Sequence, residues 1–225
     1  MNRRTGTIVA VIAVMTGMLG SLSPTFAEGI HRAADHGDLA IVQGLLAGNP
    51  ALANSRDEQG MTPLHYAALN GSRELIGMLV ANHAEISARN EEGATPLHLA
   101  VIYRNIGAAD LLLASGASAD AADDNGVTPL QVAAMNGFDA LMLLLAANNA
   151  TIDAQDNEGQ TALFKAAAFG QKDAIKVLLT LGADLHLAAH DGTTPIAIAR
   201  ANGFPEIAEM LRLHGANNVT VMSQR

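Results

Sequence analysis

The chain has 225 residues, of which 49% are hydrophobic and only 3% aromatic, so its core must be built mainly from Leu, Ala, Ile, Val and Met. Its formal net charge of −9 argues against a nucleic-acid partner, because neutralising phosphates requires clustered Lys and Arg. The lack of Cys excludes disulfides, thiolate catalysis and cysteine-ligated zinc.

The first 27 residues have the three-part layout of a secretory signal peptide. Two arginines form a short positive start, and the run from Ile8 to Leu19 is almost entirely apolar. Thr25 and Ala27 then place small residues at both positions that a signal peptidase reads, which predicts cleavage between Ala27 and Glu28. Cleavage would remove two Arg and no acidic residue, so the net charge would change from −9 to −11.

An uncleaved membrane anchor is the alternative interpretation of this segment, although its apolar run is short for a span of about 20 residues. A cleaved signal predicts a protein that is periplasmic in a bacterium, or secreted, with no membrane contact after cleavage. The twin-arginine export route is disfavoured, because Thr5-Gly6-Thr7 follows the arginines where that route's motif has a bulky apolar residue.

A motif recurs every 33 residues through the rest of the chain. It reads Thr62-Pro63-Leu64-His65 at its first occurrence, and the related segments begin at Thr95, Thr128, Thr161 and Thr194. A glycine precedes each of these threonines by two residues. Two further sets keep the same period: Asp57, Asn90, Asp123 and Asp156, and His83, Gly116, Asn149, Gly182 and Gly215. A 33-residue period with this Thr-Pro-Leu-His core resembles the ankyrin repeat.

The resemblance covers about residues 30–215 and implies an all-α solenoid of about six helix-turn-helix repeats with short β-turn fingers. The predicted repeat domain spans residues 28–216, and a frayed tail is expected over residues 217–225. The repeats are expected at about residues 28–56, 57–89, 90–122, 123–155, 156–188 and 189–216.

Each repeat is predicted to form two helices of different character. Thr can cap the first helix, and Pro fits its first turn, where no backbone donor is needed. The small residues that follow, such as Ala67 and Ala68, let this helix lie close to a neighbour, whereas the second helix carries Leu or Ile at helical spacing. His83 and Asn149 stand where other repeats have Gly, so we expect a left-handed backbone at both positions.

The third repeat departs from this pattern at two positions. Arg104 stands where the other repeats end their first helix with Gly, and Ala108 stands where the second repeat has Leu75. The first change predicts backbone strain or a changed turn, and the second predicts a smaller core contact. We therefore expect this repeat to be the least stable.

No group of residues in the sequence predicts a catalytic, cofactor or metal site. His65 and His98 belong to the repeated motif, and the resemblance implies a structural role in which the ring bonds near its own turn. His31 and His36 are five residues apart and do not share a helix face as a metal pair would. We therefore predict no enzymatic activity, no cofactor and no bound metal.

The resemblance also implies that a partner binds the turn tips and the exposed side of the first helices. An apolar patch with a charged rim is typical of an interaction site. The alternative is that the acidic residues are merely solvated and the apolar stripe is half-buried between helices. The candidate residues, which we expect on the concave face of the solenoid, are Glu58, Met61, Leu69, Glu91, Glu92, Ile102, Tyr103, Asp124, Val127, Met135, Glu158 and Phe169.

The sequence therefore favours an exported, monomeric binding module that acts as an adaptor or accessory protein. Its acidic tips predict a protein partner with a basic and partly apolar surface. One alternative is an inhibitor or immunity protein for a basic exported toxin or enzyme. Another is a membrane-tethered scaffold, which requires that the signal stays uncleaved.

Overall fold

The computed structural model describes the backbone of residues 26–222 and the side chains of residues 29–215. Within that part of the chain the twelve α-helices pair into six repeats, and no β-strand is present. This confirms the predicted all-α solenoid. The first helices of the repeats are α1 (Phe26–His36), α3 (Pro63–Asn70), α5 (Pro96–Ile102), α7 (Pro129–Met135), α9 (Ala162–Ala168) and α11 (Pro195–Ala201). The second helices are α2 (Leu39–Gly48), α4 (Arg73–Ala81), α6 (Ile106–Ala114), α8 (Asp139–Ala147), α10 (Lys172–Thr180) and α12 (Pro205–Met222).

The described backbone begins two residues before the predicted repeat domain and ends six residues after it. The predicted export signal lies outside the described residues except for its last two, and the proposed cleavage point before Glu28 falls in the first turn of α1. At the other end α12 continues to Met222, beyond the predicted limit at Ala216. None of the helices within residues 26–222 is both long and apolar enough to cross a membrane.

The first helices form the centre of the stack, because each packs against the first helix of the next repeat. All seven residues of α7 are buried, whereas α8 buries only Leu141, Met142 and Leu145. The small residues predicted on the first helices allow this close approach; Ala67, Ala133 and Ala166, for example, are fully buried. The core therefore runs without interruption along the whole stack of repeats.

The turns before α3, α5, α7 and α9 are each folded by an acidic or amide residue of their own. Asp57 accepts hydrogen bonds through Oδ1 from the backbone N–H groups of Gln59 and Met61, both at 2.9 Å. Asn90, Asp123 and Asp156 make the same pair of bonds in the next three repeats. We call these four turns, residues 57–61, 90–94, 123–127 and 156–160, and the matching turn 189–193, in which Ala189 replaces the acidic or amide residue, the fingers.

Successive fingers are joined by one backbone hydrogen bond at each junction. The donors and acceptors are Glu91 N and Gln59 O, Asp124 N and Glu92 O, Asn157 N and Asn125 O, and His190 N and Glu158 O, at 2.9–3.1 Å. The fingers therefore form a continuous row along one edge of the stack, which fixes the spacing of their exposed side chains.

The predicted left-handed positions are confirmed. His83 has φ of 61° and Asn149 has φ of 65°, and Arg104 also lies in this region, with φ of 58°. For residues other than Gly, and above all for a long side chain such as Arg, this conformation is disfavoured by about 1–2 kcal/mol. The third repeat thus has the same turn as the other repeats, although the backbone of Arg104 is strained there.

Candidate protein-binding surface

The exposed candidate residues fall into two rows on the side of the first helices. The finger row is acidic and precedes these helices; it consists of Glu58, Glu91, Glu92, Asp124 and Glu158, all exposed. The turn row is apolar and lies where α5 and α9 end; Ile102 is 37% exposed, Tyr103 44% and Phe169 50%. Because a helix rises 1.5 Å per residue, the seven residues of α5 separate the two rows by roughly 10 Å.

Two candidate residues are not exposed, contrary to the prediction. Met61 and Met135 retain only 7% and 9% of their surface, because the following repeat lies against both. The amide of Asn90 donates to the sulfur of Met61 at 3.6 Å, and the amide of Gln171 donates to the carbonyl of Met135 at 3.0 Å. Both methionines therefore belong to the packing between repeats.

Leu69 and Val127 are half-buried and pack against the core. The alternative interpretation of the apolar stripe, as half-buried packing, thus describes these two residues. The exposed part of the stripe is restricted to Ile102 and Tyr103 in the third repeat and Phe169 in the fifth.

Two acidic residues of the finger row have polar partners within the chain, and only one of these partners is a cation. Asp124 forms an ion pair with Arg89 at 2.8 Å, and Glu158 accepts a hydrogen bond from the amide of Gln160 at 2.8 Å. Glu58, Glu91 and Glu92 belong to none of the ion pairs formed within the described part of the chain. The negative potential of the row therefore comes mainly from the second and third repeats.

The turn between α5 and α6 contains an interaction that the sequence did not predict. The guanidinium carbon of Arg104 lies over the ring of Phe138, 5.4 Å from its centroid. In the second, fourth and fifth repeats the matching Gly leaves room for a side chain of the next repeat. A Cβ at Gly71 would lie 2.8 Å from Asn105, and one at Gly137 would lie 2.7 Å from Gln171. In the third repeat Arg104 replaces this Gly, and its guanidinium forms a cation–π contact with Phe138.

Two further features of this region were also missed. Ile106, the first residue of α6, is 43% exposed, although the matching residues of the second and fifth repeats are Arg73 and Lys172. Asp139 begins α8 and has a buried Oδ1 for which the described residues provide no hydrogen-bond partner. Its place in the first turn compensates in part, because the helix dipole favours negative charge there.

His65 and His98 have the structural role that the resemblance implies. Nδ1 of His65 accepts the backbone N–H of Thr62 at 3.0 Å, and its Nε2 bonds the carbonyl of Ala94 in the next finger at 3.1 Å. Burial lowers the pKa of His65 to about 4, although the bond to Ala94 acts in the opposite direction. Burial also lowers the pKa of His98, which makes the matching bonds. Both rings are therefore neutral at pH 7, with the hydrogen on Nε2.

Gln131 replaces this histidine in the fourth repeat and forms an equivalent bridge. Its Oε1 accepts the N–H of Thr128 at 2.9 Å, and its Nε2 donates to the carbonyl oxygens of Ala154 and Gln160, both at 2.8 Å. In the fifth repeat the matching residue is Phe164, whose ring has no polar atom with which to reach the next finger.

A buried ion pair in the fifth repeat was likewise not predicted. Nζ of Lys165 lies 2.6 Å from Oδ2 of Asp156, and the two side chains are only 6% and 4% exposed. Nζ of Lys165 also donates to Oε1 of Gln160 at 3.2 Å. At the matching positions of the second repeat the hydroxyl of Tyr66 donates to Asp57, so the ion pair anchors the finger as that bond does.

Within residues 29–215 no group of three or more His, Asp or Glu side chains is placed to hold a metal ion. The family model of ankyrin repeats matches the chain over residues 30–123, 108–189 and 153–222. The human NAD-capped RNA hydrolase NUDT12 is 37% identical over 62 residues, just under two 33-residue periods. The match covers 28% of this chain and 13% of the hydrolase, so the chain spans a small part of that relative's length.

Proposed function

The chain belongs to the ankyrin-repeat family, whose repeats act as protein-interaction modules, and we propose that it is an exported adaptor or accessory protein. It binds a partner protein through the finger row and the turn row. The observation that carries this proposal is the exposure of Tyr103 and Phe169, at 44% and 50%, directly after the tightly packed helices α5 and α9.

Tyr103 and Phe169 act as the two anchors of this surface. Each follows the last residue of a first helix, α5 or α9, so each is held by a rigid element two repeats from the other. Aromatic side chains supply a large contact area with few rotatable bonds, and they are enriched among interface residues that dominate binding energy. A partner that covers both anchors must span the fourth repeat, which lies between them.

The acidic finger row selects the charge of the partner. Glu58, Glu91 and Glu92 have no ion-pair partner in the described part of the chain, so a basic surface opposite them is electrostatically complementary. Such rim charges mainly speed encounter and suppress wrong partners. The same feature supports a second candidate function, in which the protein inhibits a basic exported toxin or enzyme.

Export is the part of the proposal that rests on the sequence alone. The charged start, the apolar run and the small residues before Glu28 support a cleaved signal and a periplasmic or secreted location. The proposal includes no catalytic role, cofactor or membrane contact for the mature chain, and it treats that chain as a monomer.

Affinity capture from the exported fraction tests the proposed function. Wild-type protein is compared as bait with the Tyr103→Ala, Phe169→Ala double variant, and captured proteins are quantified by mass spectrometry. We expect a basic protein that the wild type retains and the double variant loses. The matched control is Lys172→Ala with Lys176→Ala on α10, a second helix, which should retain the same protein. Equal retention by the aromatic double variant, or loss with the control, would refute the assignment of the surface.

A further inference from the structure

The turn between α5 and α6 carries an arginine at a position where the other repeats have glycine. Arg104 occupies a left-handed position, with φ of 58°, where Gly ends the first helix in other repeats. Backbone strain of this kind persists at functional sites, where the residue that causes it has a use. The stacking of the repeats does not require the arginine, because Gly71 and Gly137 form the same turn with Asn105 and Gln171 packed against them.

Arg104 is also a cation without an anionic partner in the described part of the chain. The ion pairs formed there engage Arg56, Arg73, Arg89, Lys165, Lys176 and Arg212. The guanidinium of Arg104 instead lies over the ring of Phe138. Contact with the ring orders the side chain before any ligand arrives, so less conformational entropy is lost on binding.

Three apolar residues within two positions of Arg104 in the sequence are exposed. The preceding residues Ile102 and Tyr103 are 37% and 44% exposed, and Ile106 is 43% exposed. A segment that covered these three side chains would exclude water from the guanidinium, which strengthens its attraction for an anion. An unpaired cation among exposed apolar side chains is complementary to a carboxylate flanked by apolar side chains.

We propose that this turn binds a segment of the partner protein in which an Asp or Glu side chain lies between apolar residues. The carboxylate of that segment accepts hydrogen bonds from the guanidinium of Arg104, and the flanking apolar residues contact Ile102, Tyr103 and Ile106. The inference rests on the proposed function and adds a second charge to the partner. A basic region faces the fingers and an acidic residue faces the turn, roughly 10 Å away along α5, so the two charges fix the orientation of the partner.

A peptide titration tests this site without knowledge of the partner. The purified protein, labelled with nitrogen-15, is titrated with acetyl-Leu-Glu-Leu-amide and with acetyl-Leu-Gln-Leu-amide, which differ only in the carboxylate. We expect the glutamate peptide to shift the backbone amide signals of residues 102–106 and 138, and to bind about tenfold more tightly than the glutamine peptide. In Arg104→Gly this difference should fall to less than about twofold, because the guanidinium is lost.

Arg104→Gly is a favourable variant for this purpose, since glycine is the residue that the left-handed turn prefers and thermal unfolding can verify its fold. Arg104→Lys keeps the charge without the planar fork and should bind the glutamate peptide with intermediate affinity. Equal affinity of the wild type for the two peptides, or unchanged discrimination in Arg104→Gly, would overturn the inference. The capture experiment and the peptide titration can fail separately. If the peptides were not distinguished but the Tyr103→Ala, Phe169→Ala variant failed to capture the partner, the proposed function would stand without the carboxylate site. If the peptides were distinguished but that variant captured the partner as well as the wild type does, the proposed function would be overturned and the carboxylate site would remain.

Discussion

Replacing His65 by Gln should protect the solenoid against mild acid with little change at neutral pH. At pH 7 the ring of His65 is neutral and bridges Thr62 to Ala94, and Gln131 makes the equivalent bridge in the fourth repeat. His65→Gln should therefore change the free energy of unfolding by less than about 1 kcal/mol at pH 7, because Gln can keep the hydrogen bonds to Thr62 and Ala94.

The pH dependence follows from the depressed pKa of His65. Burial lowers this pKa from 6.5 to about 4, so between these pH values the histidine is protonated in the unfolded chain but neutral in the folded protein. The stabilising contribution is complete above pH 6.5 and is lost progressively as the pH falls towards 4, where the folded state also becomes protonated. At pH 5 the unfolded histidine is almost fully protonated and the folded one is mostly neutral, which destabilises the wild type by about 2 kcal/mol relative to pH 7.

Urea titrations of the wild type and His65→Gln at pH 7 and pH 5 measure this effect, and the contributions of the other titrating groups cancel in the difference between the two proteins. We subtract the free energy of unfolding of the wild type from that of His65→Gln at each pH. We expect this difference to be about 2 kcal/mol larger at pH 5 than at pH 7. His186→Gln, which changes an exposed ring, should alter stability by less than about 0.5 kcal/mol at either pH. Equal losses of stability by the wild type and His65→Gln between the two pH values would refute the reasoning.

Four other outcomes are expected. Leu145→Ala removes a fully buried side chain and should lower the free energy of unfolding by about 2–5 kcal/mol in urea titrations. Lys165→Met leaves a buried carboxylate without its cation and should cost about 3–5 kcal/mol in the same assay, and a cost below about 1 kcal/mol would contradict a buried pair. Glu91→Lys combined with Glu92→Lys should slow association with the captured partner in surface-resonance kinetics, and added salt should shrink that difference. Amino-terminal sequencing of the exported protein should begin at Glu28; a start at Met1 in the membrane fraction would support the tethered scaffold.

The features of this fold that depend on one repeat at a time could be predicted from the sequence. The 33-residue period located the helix pairs of the second to sixth repeats, and the left-handed positions of His83 and Asn149 followed from the glycines that replace them elsewhere. These predictions succeeded because the conformational preferences of Gly, Asn and Pro act within a few residues.

Contacts between repeats were harder to predict. The exposure assigned to Met61 was wrong because the period shows which residues match but not which of them the next repeat covers. The Arg104–Phe138 contact requires one departure from the repeat to meet an aromatic ring across a junction. Lys165 pairs with Asp156 at a position where the third, fourth and sixth repeats have Leu, Val and Ile. Such interactions belong to particular pairs of side chains, so neither the period nor the composition predicts them.

The phenylalanine at position 164 has a mechanical consequence. His65, His98 and Gln131 each tie a first helix to the next finger, whereas the finger of the last repeat is held to the fifth by the backbone bond from His190 to Glu158 and by a 3.3 Å bond from Gln155 to the carbonyl of Ala188. Tension applied to the chain ends should therefore detach the last repeat before it opens the junctions that those side chains bridge. The surface around Tyr103, in the third repeat, would stay folded while the last repeat detached.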